Sequence, residues 1–88
     1  MIGTMTWRPD IDALVFEPEG HQGGCMVHRR AFRALLRFSP APEDCEAFFQ
    51  SHEAAFRAAA SAKIHRENVL RGTNFHLTSR DVARQIKK

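Results

Sequence analysis

The chain has 88 residues, 43% of them hydrophobic, with a formal net charge of +3 and a pI near 9.4. That length fits one domain, and a domain this small buries only roughly 60–65% of the surface its unfolded chain exposes. No apolar run approaches the ~20 residues that span a bilayer, and MIGTMTWRPD has neither the basic nor the apolar region of a secretory signal. With Cys25 and Cys45 as the only cysteines, reduced thiols in a cytoplasmic protein are expected.

In chain order, residues 1–12 read as an irregular N-terminal segment ending in the turn-like Arg8-Pro9-Asp10. Ala13-Leu14-Val15-Phe16 is a short β-prone run, and a Pro- and Gly-containing turn over 17–24 leads to a second strand, Cys25 to His28. A helix follows from Arg29. Ala31, Phe32, Leu35 and Leu36 share one face, and Arg29, Arg33 and Arg37, with Arg30 beside them, share the other. Ser39-Pro40-Ala41-Pro42 ends it. Pro42, Glu43 and Asp44 suit the first turn of a second, long helix drawn from Pro42 to Asn68, with Gly72 as its left-handed cap.

Along that helix Cys45, Phe48, Phe49, His52, Phe56, Ala59 and Lys63 form a stripe at spacings of three and four. Its middle, AAFRAAASA, lets another backbone approach closely, and Glu53–Arg57 is an i, i+4 ion pair in the favourable order. Phe75-His76-Leu77 alternates as a third strand. Thr78-Ser79-Arg80-Asp81 resembles a capping box, with Asp for the usual Glu, opening a last helix over 79–88. The expectation is a single α+β domain over 1–88. It has a small antiparallel sheet of three or four strands on two or three helices, in the order β-β-α-α-β-α, and a core spanning 13–88.

This order, with Trp7, Ala13 to Phe16, Cys25-Met26-Val27-His28-Arg29-Arg30-Ala31-Phe32, Phe48, Lys63-Ile64, Phe75 to Leu77 and Asp81, resembles a bacterial family of small proteins, domain-of-unknown-function family 1488. The resemblance covers most of the chain and implies antiparallel strands packed on helices. It implies no catalytic residues.

Candidate chemistry is sparse. His21, Cys25 and His28 have ligand-type side chains, but zinc wants a fourth ligand and no Cys-x-x-Cys is present, so no metal and no cofactor are expected. Cys25 and Val27 fall on one strand face with His28 on the other, which makes Cys25 a small core residue. Cys45 shares the apolar stripe and reads as an inert thiol, and His52 as a histidine satisfied by a nearby carbonyl. No phosphate loop, Ser-His-Asp order or paired carboxylates appear, so an enzyme is not expected.

The remaining signal is charge. Arg29, Arg30, Arg33 and Arg37 concentrate positive field within about three turns, and Arg80, Arg84, Lys87 and Lys88 do the same on the last helix. They are candidates for one basic surface, set against the plainer reading of solvated helix faces. The expectation is a non-enzymatic binding module. Its partner would be an acidic protein or a nucleic acid, or it would be a homodimer without other ligand; the Ala-rich helix offers a surface for a second copy.

Overall fold

The structure, a computed structural model, describes residues 5–86. Four strands form one mixed sheet with four helices around it. In chain order these are β1 (Met5–Arg8), β2 (Ala13–Phe16), β3 (Cys25–His28), α1 (Arg29–Leu36), α2 (Pro42–Ser51), α3 (Glu53–Glu67), β4 (Phe75–Leu77) and α4 (Ser79–Ile86). The strands lie in spatial order β1-β2-β3-β4.

The α+β class holds, but four particulars of the sequence reading are corrected. Residues 5–8 form a strand and not an irregular segment: Met5 pairs with Phe16 and Arg8 with Ala13, antiparallel, across the Arg8-Pro9-Asp10 turn. Met5 and Trp7 are the half-buried, inward members of the strand. The sheet is also not purely antiparallel. β2 pairs antiparallel with β3, but β4 lies parallel to β3 with Val27 opposite Leu77. The physical reason lies in the connection. β3 reaches β4 through three helices, a crossover long enough to bring the chain back in the same direction.

The long helix breaks at His52, whose φ of −125° and ψ of 29° leave the helical range. The break is sealed from within. The His52 backbone N–H reaches the carbonyls of both Phe48 and Phe49, and its ring Nδ1 lies 3.2 Å from the Phe48 carbonyl while stacking on the Phe48 ring at 4.3 Å. The carbonyl partner expected for His52 is thus its own preceding turn. Lastly, α3 ends at Glu67. Asn68, at φ 52°, takes the left-handed cap, and Gly72 serves instead in a turn closed by Thr73 N–H to Leu70 O.

One sheet face carries the core. Leu14, Phe16, Cys25, Val27, Phe75 and Leu77 point inward to Phe32, Cys45, Phe49, Phe56, Ala59, Ala60 and Val82. The helices cover this face. The alternate residues Thr6, Val15, Met26, His28 and His76 project to the other side, where Thr6 and His76 are exposed and the rest half-buried. Ala59 and Ala60 are buried where α3 packs on α4, as expected of the small residues.

The capping box at α4 forms as expected. The Asp81 N–H donates to Thr78 Oγ1 at 3.2 Å, and the Thr78 N–H donates to Asp81 Oδ2 at 2.9 Å. At α2, Asp44 Oδ2 accepts the Ala41 N–H and Pro42 occupies the first turn. Glu53 and Arg57 pair at 2.8 Å.

The turn over 17–24 is packed down onto the segment that leads into β4. Pro18, His21 and Gly23 are buried in it. His21 Nε2 donates to the Thr73 carbonyl at 2.7 Å and its ring meets Phe75 edge-on at 5.2 Å. A Cβ on Gly23 would sit 2.6 Å from the Thr73 carbonyl oxygen. Gly23→Ala is therefore expected to push the two loops apart and lower the unfolding free energy by roughly 1–3 kcal/mol, readable by chemical denaturation. A variant as stable as the parent would contradict this close approach.

Candidate anion-binding cleft

The Arg29–Arg37 series does not form one uniform stripe. Arg29 is committed: its guanidinium holds Asp12 at 2.7 Å, donates to the Pro40 carbonyl at 3.3 Å and lies 6.0 Å from the Trp7 ring centroid. It fastens the β1–β2 turn to the start of α1, where the Arg29 backbone N–H also donates to the Asp12 carbonyl at 2.9 Å. Arg37 closes α1 in the left-handed conformation at φ 69°, its N–H on the Arg33 carbonyl. Arg30, Arg33 and Arg37 are exposed and have no carboxylate partner among the described residues.

The second basic series also divides. Arg84 turns toward Asp81 at 3.9 Å, joining Lys63 at 3.1 Å and Arg66 at 3.3 Å around the same carboxylate. Arg80 is exposed and unpaired among the described residues. Lys87 and Lys88 lie outside the described residues. Of the six candidates among the described residues, Arg30, Arg33, Arg37 and Arg80 thus remain as cations available to a partner.

Two adjoining clefts share Arg30. One, of about 240 Å³, is lined by Asp12, Arg29, Arg30, Arg33, Ser39 and Pro40. The other, of about 290 Å³, is lined by His28, Arg30, Ala31, His76, Thr78 and Ser79, among others. The second lies where parallel β3 and β4 each run directly into a helix, so the starts of α1 and α4 meet there. The two basic helices therefore come together at their first turns.

His28 and His76 face each other across this cleft with ring centroids 5.8 Å apart and planes near perpendicular. Burial pushes His28 below the ordinary histidine range, and the neighbouring His76 and Arg30 push it the same way, against a smaller opposite pull from Asp12. Sequence reasoning assigned His76 no role. Its partner stands 48 positions away, and only the parallel pairing of β3 with β4 brings the two rings together. Phe38 was also missed. It is 51% exposed immediately after Arg37.

The thiols offer little chemistry. Burial raises Cys25 to about 12 and Cys45 to about 11, and both are buried and unpaired. Among the described residues no three His, Cys, Asp or Glu side chains gather as a metal set. A further cleft of about 340 Å³ beside His21 includes Arg57, Ser61, His65 and Arg71, but its Arg57 is held by Glu53, by the Glu17 carbonyl and over the Phe16 ring.

Fold and site together define an α+β protein with a helix-covered sheet, one open sheet face, and a cationic cleft at the ends of its two parallel strands. No family model, no curated protein and no solved structure matches the chain.

Proposed function

We propose that the chain is a non-enzymatic binding module that takes a nucleic acid by its phosphate backbone, along the α1 face and across the adjoining cleft. One observation carries the reading: Arg30, Arg33 and Arg37 stand without a carboxylate partner among the described residues, beside the half-exposed ring of Phe38. Guanidiniums that lack an internal acid keep their full field for phosphates. An exposed aromatic ring next to them offers a stacking face for a base, which favours single strands over duplex. Kinship with domain-of-unknown-function family 1488 is proposed on Trp7, Ala13 to Phe16, Cys25 to Phe32, Phe48, Lys63-Ile64, Phe75 to Leu77 and Asp81, and bears on the fold rather than on this partner.

Fluorescence anisotropy with labelled single-stranded and duplex oligonucleotides, repeated across salt, tests the reading. Single strands are expected to bind more tightly, with affinity falling steeply as salt rises. Arg33→Ala is expected to reduce the log–log salt slope by about one, and Phe38→Ala to lower single-strand affinity roughly tenfold or more. No binding at low salt, or equal binding of an acidic peptide of matched charge, would overturn it.

A further inference from the structure

We propose that His28, His76 and Arg30 form a subsite for a terminal phosphate monoester, seated in the cleft between the starts of α1 and α4. The proposal rests on the nucleic-acid reading above for its ligand, and adds which end of the polymer is held. Three independent placements converge on the cleft. His28, Arg30 and His76 all line its 290 Å³, together with Ser79, and the two imidazole rings are neighbours at 5.8 Å. The cleft lies outside the carboxyl ends of two adjacent parallel strands, the position where open sheets with helical crossovers hold ligands. The start of α1 has no side-chain cap, whereas α4 is closed by its own Thr78–Asp81 box.

A backbone phosphodiester carries one negative charge, whereas a terminal monoester carries about −1.5 to −2 near neutral pH. Two imidazoles and a guanidinium around one small volume suit the larger charge and its three free oxygens. By itself the protein disfavours His28 as a cation, through burial first and then through His76 and Arg30. An incoming dianion reverses that balance, because it turns the neighbouring positive charges from a penalty into a shared attraction. Proton uptake at His28 and anion binding are then linked, and each strengthens the other.

The charged groups around the pair are few. Asp12 faces His28 from the β1–β2 turn but is already held by Arg29. Arg30 approaches from α1. On α4, Arg80 is exposed and Asp81 is turned to Thr78, Lys63 and Arg66. Lys63 of α3 touches the His76 backbone, donating to its carbonyl at 2.8 Å. β2 presents only Ala13 opposite His28. No carboxylate among these remains free to neutralise the histidines in place of a ligand.

The test uses the full chain and two probes. Sulfate, a tetrahedral dianion whose charge is constant over the range, is titrated at about pH 5.5 and about pH 7.5 while the histidine ring signals are followed by NMR. Sulfate is expected to move the His28 and His76 signals at a single saturating site and to bind roughly tenfold more tightly at the lower pH. Oligonucleotides with a 5′-phosphate or a 5′-hydroxyl are then compared by anisotropy. The phosphorylated strand is expected to bind several-fold more tightly, and His76→Gln, an exposed position, to remove that preference while keeping the binding of the hydroxyl strand. Ring signals that do not move with sulfate, or equal affinity of the two strands, would overturn the subsite. Failure of both strands to bind would overturn the nucleic-acid reading instead. A sulfate response without any strand binding would keep the anion site and reassign its ligand to a free phosphate compound.

Discussion

Phe56→Ala is expected to lower the unfolding free energy by about 3–5 kcal/mol, a large part of the roughly 5–15 kcal/mol that holds a small domain together. The cause is the position of this ring. Phe56 is fully buried on α3, with its centroid 5.0 Å from Phe49, 5.7 Å from Phe32 and 6.0 Å from Phe48. It touches a ring on α1 and two on α2, so it is the residue through which three helices share one aromatic cluster. Truncation leaves a void ringed by stiff aromatic side chains, which collapse poorly. Phe48→Ala is the useful contrast. Phe48 is only half-buried, and its ring stacks on His52 near the surface, so a cost nearer 1–2 kcal/mol is expected. Urea denaturation of both variants checks the pair; equal costs would show that Phe56 is not the centre of the cluster.

The second large effect is expected at Asp81. This carboxylate is 9% exposed and receives the Thr78 N–H, the Lys63 ammonium and the Arg66 guanidinium, while Lys63 itself is only 12% exposed. Asp81→Asn leaves the Lys63 charge buried without its counter-charge, and removing one partner of such a pair costs about 3–5 kcal/mol. A double variant that also replaces Lys63 by methionine is expected to recover part of the loss, because the unpaired charge goes with it.

The same site sets a pH dependence. Burial alone would raise the Asp81 carboxyl; the Thr78 N–H and the Lys63 ammonium outweigh that and hold it below the usual carboxylate range. A carboxyl depressed in the folded state adds stability that is fully present above its unfolded value of about 3.9 and is lost as pH falls through the lower folded value. Thermal melts of the parent should therefore lose their advantage over Asp81→Asn as the pH drops below about 4. A gap that stays constant down to about pH 2 would show that the carboxylate charge is not what stabilises this corner.

The parts of the fold that were legible in the sequence were those set by local chemistry. The β2–β3 strands, the α1 face of Ala31 and Phe32, the Glu53–Arg57 pair and the Thr78–Asp81 box all follow from spacing within a few residues. What was not legible depended on distant partners. Met5 to Arg8 has only two inward residues, too short a pattern to stand out until β2 supplies the other half of the hairpin. The His52 break leaves no proline or glycine behind; a histidine reaching back to Phe48 does the same work of satisfying the freed backbone. The parallel placement of β4 could not be read from three residues.

The candidate site followed the same division. Clustering of arginines in sequence was visible, but which of them a partner can use was decided by acids elsewhere. Asp12 removes Arg29 and Asp81 draws in Arg84, while Arg30, Arg33, Arg37 and Arg80 stay open among the described residues. The histidine pair was invisible for the same reason as the parallel pairing that creates it.

The contact between Lys63 and the His76 carbonyl has a consequence for how this sheet meets other chains. The Phe75 N–H donates to the carbonyl of Gly24, the residue just before β3, so the peptide groups of His76 point away from β3, toward the outer margin of the sheet. Lys63 occupies the carbonyl there, and its charge sits where an incoming strand would lie. A three-residue margin with its acceptor already taken is a poor template for strand addition. Strand addition by a neighbouring molecule is therefore disfavoured at the β4 margin of the sheet.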